Sequence, residues 1–176
     1  LSYIKDNITG DITILFVVEV NNYDNQIDNE ILKFIRKINR NIILLINKTD
    51  NKKLQLKALD FSQFGIKNTF CTSCTHNLGI DQLSTYLFEK SIIKTAENSE
   101  IENELLIGVY GKPNVGKSTF INQFLGFKRF QTENVPGLTT DSVYHSIKYK
   151  DKNIKILDTA GIKSKNRFKN SLEEMS

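Results

Sequence analysis

Residues 111–118 read Gly-Lys-Pro-Asn-Val-Gly-Lys-Ser, which satisfies the full spacing of a phosphate-binding loop. The chemistry of such a loop is anion capture. Gly111 and Gly116 let the backbone curl so that successive N–H groups point at phosphate oxygens. A helix beginning there adds the positive end of its dipole. Lys117 is placed to neutralise β- and γ-phosphates, and Ser118 to offer its hydroxyl to Mg2+. Lys112, Pro113, Asn114, Val115 and Thr119 complete the cradle. A chance glycine loop before a helix is the plain alternative. The predicted strand before it and helix after it argue against that.

Two further motifs extend this chemistry. Asp158-Thr159-Ala160-Gly161, followed by Ile162, closes a predicted strand at Asn153–Leu157. An Asp there can hold a water on Mg2+, and the Gly161 N–H can meet a γ-phosphate. Alone it would be an ordinary strand-to-loop turn. Asn47-Lys48-Thr49-Asp50 also follows an apolar run. Asp50 can accept from both N1–H and N2–H2 of guanine, and adenine cannot supply both donors. Such a site discriminates by up to ~10⁴-fold. The stem of Lys48 can lie across the base. Without a phosphate loop in the chain, these four residues would read as a polar turn.

Smaller signals sit around these. Ser73-Cys74 follows a short strand, where a backbone N–H can meet guanine O6. Thr139, in Pro-Gly-Leu-Thr-Thr-Asp, lies on a loop between the phosphate loop and Asp158. Its hydroxyl can reach Mg2+ when a γ-phosphate is present and let go afterwards. Ser118, Thr139 and Asp158 are thus the metal-side residues, and Lys117, Thr139 and Gly161 surround the reacting phosphate. Cys71 and Cys74 form a C-x-x-C. Redox work needs a lowered thiol pKa at a helix start, and a lone pair makes a poor zinc site, so two reduced thiols beside a loop are the favoured reading. His76 and His145 have no partner spacing for a metal or a triad. Lys163, Lys165, Arg167 and Lys169 make a short basic run, in general a solvated face, though an RNA partner would suit it.

The elements that must position these residues follow from periodicity. Ile12–Val18 is a nearly continuous apolar run, as in a strand buried on both faces. Ile31, Leu32, Ile35 and Ile38 have helical spacing, with Asp28 as N-cap. Asn41–Ile46 is a second strand and delivers Asn47. Leu54, Ala58 and Phe61 mark a helix that Gly65 stops. Thr69–Thr72 is a short strand, and Ile80, Leu83 and Leu87 mark a helix ending near Lys94. Residues 95–104 are polar and acidic and read as a linker. Leu105–Tyr110 is the strand before the phosphate loop, and Phe120, Ile121, Phe124 and Leu125 are the buried side of the helix after it. Phe127 and Phe130 read as core as well. Ser142–Tyr149 and Asn153–Leu157 read as an antiparallel pair, and a helix is expected near Ser171. Alternating strands and helices predict an α/β fold with a mostly parallel sheet and helices on both faces.

Composition agrees with a globular protein. The 176 residues are 39% hydrophobic and 25% charged, and 24 basic against 20 acidic residues leave +4, too mild to argue for nucleic acid. DNA is not an expected partner. Neither a signal peptide nor a membrane span is visible, which predicts a cytoplasmic protein without a membrane partner. The absence of an initial Met reads as a piece of something longer.

Taken together, these residues resemble the Der (EngA) family of bacterial GTPases, which carry two G domains in tandem. The resemblance rests on Leu15–Val18, Asn47–Asp50, Phe64-Gly65, Ser73–His76 with Gly79-Ile80, Gly111–Asn122, Arg129, Gly137–Ser142, and Asp158–Ile162 with Lys163 and Lys165. It implies a P-loop NTPase of the Ras-like G-domain type, binding GTP and GDP with Mg2+, hydrolysing GTP slowly, and serving large ribosomal subunit assembly with rRNA as partner. It implies that residues 1–94 are the back half of one G domain and residues 105–176 the front half of the next. It also implies K+ held partly by Asn114, and no catalytic Gln after Gly161, where Ile162 agrees. Leu138, Thr140, Glu19 and Cys74 depart from the family's usual Thr, Arg, Asp and Ala.

The order of motifs permits another reading. Most GTPases place the phosphate loop first and the base reader last. Circularly permuted ribosome-assembly GTPases reverse this, and such a chain would close one site around one GTP. Those proteins usually read Asp-Thr-Pro-Gly where this chain has Asp158-Thr159-Ala160-Gly161. If the two segments are instead halves of different domains, each leaves an open sheet edge and an incomplete core. A third reading, from another class, is a nucleotide-gated RNA-binding module with negligible turnover.

Overall fold

β1 (Ile12–Glu19) is buried at every position but the last, because both of its faces are covered. The computed structural model describes residues 12–23, 25–38, 41–97, 104–126, 144–149 and 152–158. After β1 come α1 (Asn25–Ile38), β2 (Ile42–Asn47), α2 (Lys52–Lys57) with a 3-10 segment (Ala58–Phe64), β3 (Asn68–Cys71) and α3 (Ile80–Glu97). The second segment supplies β4 (Glu104–Tyr110), α4 (Lys117–Leu125), β5 (Tyr144–Tyr149) and β6 (Lys152–Asp158).

These strands make one six-stranded sheet in the order β3-β2-β1-β4-β6-β5. All neighbours are parallel except β5 and β6, the expected antiparallel pair. The chain builds outward from β1 through β2 to β3, then restarts on the other side of β1 with β4 and β6. The direction of growth therefore reverses between β1 and β4. In parallel α/β sheets a crevice opens at such a switch point, beyond the carboxyl ends of the strands.

Two apolar clusters cover the sheet. Leu15, Val17, Ile43 and Leu45 pack with Ile80, Leu83 and Leu87 of α3 and Phe120, Ile121 and Phe124 of α4. Ile14, Phe16, Val18 and Leu44 pack on the opposite face with Leu32 and Ile35 of α1 and with Phe61 and Phe64. Helices thus lie on both faces, and the expected α/β class is the observed one.

Three elements differ in detail from the sequence reading. The first helix begins at Asn25, so Asp28 sits inside its first turn instead of capping it. Its carboxylate suits the positive end of the helix, and it is fully buried. The helix expected to run as far as Gly65 is α-helical only over Lys52–Lys57, capped by Asn51, whose side chain accepts from the Leu54 N–H at 3.0 Å. It then tightens to 3-10 geometry, which aligns residues three apart. Phe61 and Phe64 are thereby turned together onto Tyr23 and Phe16, with ring centroids 5.3 Å apart for Tyr23–Phe61 and 5.6 Å for Phe16–Phe64. Gly65 does end this segment. Finally, α3 continues to Glu97 and β4 begins at Glu104, so the stretch between elements is shorter than the acidic segment 95–104.

Candidate nucleotide site

The phosphate loop leaves β4 at Gly111 and enters α4 at Lys117, at the switch point. Its two glycines are required by close approach. Gly116 has φ +98°, and a Cβ there would lie 2.2 Å from Asn47 Nδ2. Gly111 has φ +153°, and a Cβ there would lie 2.2 Å from the Val17 carbonyl oxygen. Both of these loop glycines are pressed against the first segment.

Lys117 is 6% exposed, and its ammonium donates to the carbonyls of Gly111 (2.9 Å) and Lys112 (2.7 Å), inside the curl of the loop. Val115 is buried; Pro113, Asn114, Ser118 and Thr119 are exposed, and Asn114 adopts a left-handed φ of +64°. Lys112 is buried too. Its ammonium donates to the Asn22 carbonyl and lies 3.5 Å from the Asp28 carboxylate. A buried pair of this kind fixes geometry more than it adds stability.

Asn47 ends β2 and is 3% exposed. Its Nδ2 donates to the Val115 carbonyl at 2.8 Å. Its Oδ1 accepts from the Cys74 N–H at 3.2 Å and the Thr72 hydroxyl at 3.4 Å. One amide therefore ties the end of β2 to the Gly111–Ser118 loop and to the turn after β3. Lys48 has φ +64° and turns the chain, so that Thr49 is buried while Asp50 is exposed. The Thr49 hydroxyl donates to the Thr72 carbonyl at 2.9 Å. The Lys48 ammonium pairs with Glu19 at 2.9 Å, across the register that sets Glu19 beside Asn47. The buried Ser73 hydroxyl donates to the Asp50 carboxylate and so fixes its direction. The Ser73 N–H is engaged by the Leu78 carbonyl.

Asp158 ends β6, with its backbone beside Val109. Thr139, Thr159, Ala160, Gly161, Ile162 and the basic run from Lys163 lie outside the described residues, as do Phe127 and Phe130. His145 is half-buried in β5, and His76 is exposed in a 3-10 turn. Sequence reasoning had not linked Asp28 and Asn22 to Lys112, nor Ser73 to Asp50 through its hydroxyl. Those are long-range contacts, and no local spacing signals them.

Both cysteines are free. Burial pushes the Cys74 thiol up to about 11, opposed by its hydrogen bonds to the Thr72 side chain and to its own backbone, and burial raises Cys71 as well. This is the reverse of what a redox pair needs. At pH 8 only about one Cys74 in a thousand would be a thiolate. We expect Cys74 to react with a thiol reagent at pH 8 only on unfolding. Rapid modification of both thiols in the folded protein would contradict its burial.

A phosphate loop at the switch point of a parallel sheet, with an Asn-Lys-Thr-Asp turn alongside, defines the fold of a P-loop GTPase domain. The family model described as 50S ribosome-binding GTPase matches residues 106–176. The chain is similar to GTPase Der of Legionella pneumophila, 34% identical over 163 residues that cover 93% of this chain and 35% of that protein. It is similar also to GTPase Der of Campylobacter lari, 37% identical over 157 residues, 76% of this chain and 34% of that one. It spans about a third of the length of these curated relatives. The similarity runs through both segments, which favours the Der resemblance over the permuted-GTPase one. Among solved structures, YjeQ from Thermotoga maritima shares the fold, with a TM-score of 0.56 at 21% identity over 85% of this chain and 47% of that one. Among the described residues, no helix is long and apolar enough to cross a membrane.

Proposed function

We propose that this chain is part of a Der-type GTPase that binds GTP and GDP with Mg2+ and hydrolyses GTP slowly to GDP during assembly of the large ribosomal subunit. The observation that carries this reading is the phosphate loop itself: Lys117 is held inside it and its glycines accept no side chain. Gly111–Thr119 would cradle the phosphates. Ser118 would ligate Mg2+, with Asp158 and Thr139 on the same side, and Gly161 would meet the γ-phosphate. Asn114 would help to hold K+. Asn47–Asp50 would read the base, with Ser73 orienting Asp50 through its hydroxyl and the Cys74 N–H, expected to meet guanine O6, instead engaged by Asn47.

The family model's description, 50S ribosome-binding GTPase, supports a ribosomal partner, and its match over residues 106–176 supports treating 105–176 as the front half of a second G domain. Residues 1–94 would then be the back half of the first, with 95–104 as linker.

The test is turnover of GTP and ATP with Mg2+, in K+ and in Na+. GDP should form slowly from GTP, faster in K+, and ADP should not form from ATP. Tight GTP binding with no GDP in either salt would favour the nucleotide-gated RNA-binding module.

A further inference from the structure

We infer that Glu19 is a positioning residue of the base reader: its carboxylate holds the Lys48 ammonium, so that the stem of Lys48 is set in advance along the face of a bound guanine. This rests on reading Asn47–Asp50 as the base reader, and it stands whichever phosphate loop completes that site.

Glu19 is fixed before it meets Lys48. It ends β1, and the β1–β2 register sets it beside Asn47. The next residue, Val20, donates its N–H to the Asn47 carbonyl at 3.1 Å, and the Asn22 N–H donates to the Glu19 carbonyl at 3.3 Å. The backbone around Glu19 is therefore tied both to itself and to the strand that carries the reader. From there its carboxylate lies 2.9 Å from the Lys48 ammonium. Lys48 stands at the first residue past β2 with φ +64°, a left-handed conformation that costs a residue bearing a side chain. Such a conformation persists where the surroundings hold it, and the pair with Glu19 is one contact that does so.

The two partners differ in exposure, and the difference points to binding. The Glu19 side chain is 15% exposed, whereas that of Lys48 is 44% exposed. An ion pair open to water contributes little to folding. A flat base laid over the open stem of Lys48 would displace that water, and the pair would strengthen as its surroundings became less polar. A lysine stem without a partner for its ammonium is flexible, and ordering it on a ligand costs affinity. Glu19 removes part of that cost beforehand. Because a ring face is common to all bases, this contact adds affinity and leaves the choice of base to Asp50.

The experiment is equilibrium titration of xanthosine diphosphate, with Mg2+, into the full-length protein carrying Asp50→Asn. The new amide donates to O2 of xanthine, while a reader that keeps its carboxylate rejects this base, so the ligand reports this base reader alone. Adding Glu19→Gln should weaken binding roughly fivefold. Adding Glu19→Asp, which keeps the charge and lets the flexible Lys48 stem follow, should stay within about twofold. Adding Lys48→Met should also cost roughly fivefold, and Glu19→Gln should then cost nothing more, because its effect passes through the lost ammonium. All of these should melt within about 2 °C of the Asp50→Asn parent. Unchanged affinity in Glu19→Gln would overturn the inference. So would a further loss when Lys48→Met is already present, or a lowered melting point, since Glu19 would then be supporting the strand end and not Lys48; the base-reader reading would survive each of these. If folded Asp50→Asn gains no xanthosine diphosphate, Asn47–Asp50 does not read a base, and the reading and the inference fall together.

Discussion

Lys117→Met is expected to weaken binding of Mg2+-GTP by at least about 100-fold while leaving the fold intact. The side chain is 6% exposed, and its ammonium lies against the Gly111 and Lys112 carbonyls of the loop. Met keeps the apolar stem and removes only the ammonium. Hydrogen bonds from a charged donor to charged acceptors are worth about 1.5–3 kcal/mol each. Lys117 is placed to meet two phosphates, so a loss of about 3 kcal/mol or more is expected, which is about 100-fold or more in Kd. The partners it gives up in the protein include the Gly111 and Lys112 carbonyls, in a loop that exposes Pro113 and Asn114. Competition against labelled GTP measures the affinity, and a thermal melt checks the scaffold. A Kd within about threefold of wild type would show that the loop does not use Lys117 for phosphate, and the functional reading would then fail at its first residue.

The phosphate loop was legible in the sequence because its determinants are local. Two glycines, a Lys and a Ser within eight residues fix a backbone curl at a helix start, and the structure has that curl. The β5–β6 pair was legible for the same reason, a polar turn between short runs. The neighbours of β1 were not. Ile12–Val18 and Ile42–Ile46 are apolar at nearly every position, and a strand buried on both faces carries no pattern that names its partner. The same sequence was therefore compatible with two half-sheets or one whole sheet. Asp28 was misread because its type suits an N-cap. Its actual constraint, the Lys112 ammonium, lies 84 positions away in the chain (112 − 28). Likewise the 3-10 segment is set by where Phe16 and Tyr23 lie, not by the helical spacing of Leu54, Ala58 and Phe61. What stayed hidden is what joins the two segments, and that junction makes the second large prediction.

Asn47→Ala is expected to destabilise the folded chain by about 3 kcal/mol, even with no nucleotide present. The substitution strips the Val115 carbonyl and the Cys74 N–H of a buried partner. Each unpaired buried group costs about 1–3 kcal/mol. The Thr72 hydroxyl loses a weaker partner at 3.4 Å. Nor can the vacated volume be refilled cheaply, because Gly116 has no side chain to offer and Val115 is already packed. For a chain of this size about 3 kcal/mol lowers Tm by roughly 6–12 °C. Asn47→Asp should be worse than Ala: it keeps an acceptor for Cys74 but sets a carboxylate against the Val115 carbonyl, and a buried charge without a partner is costly. The pair of variants thus separates lost bonds from added repulsion. Lys117→Met should melt close to wild type and lose nucleotide, whereas Asn47→Ala should melt early, because the end of β2 and the Gly111–Ser118 loop are no longer held together. If Asn47→Ala melts within about 2 °C of wild type, the amide does not join the segments. The single sheet would then be held by β1–β4 pairing and the shared core alone.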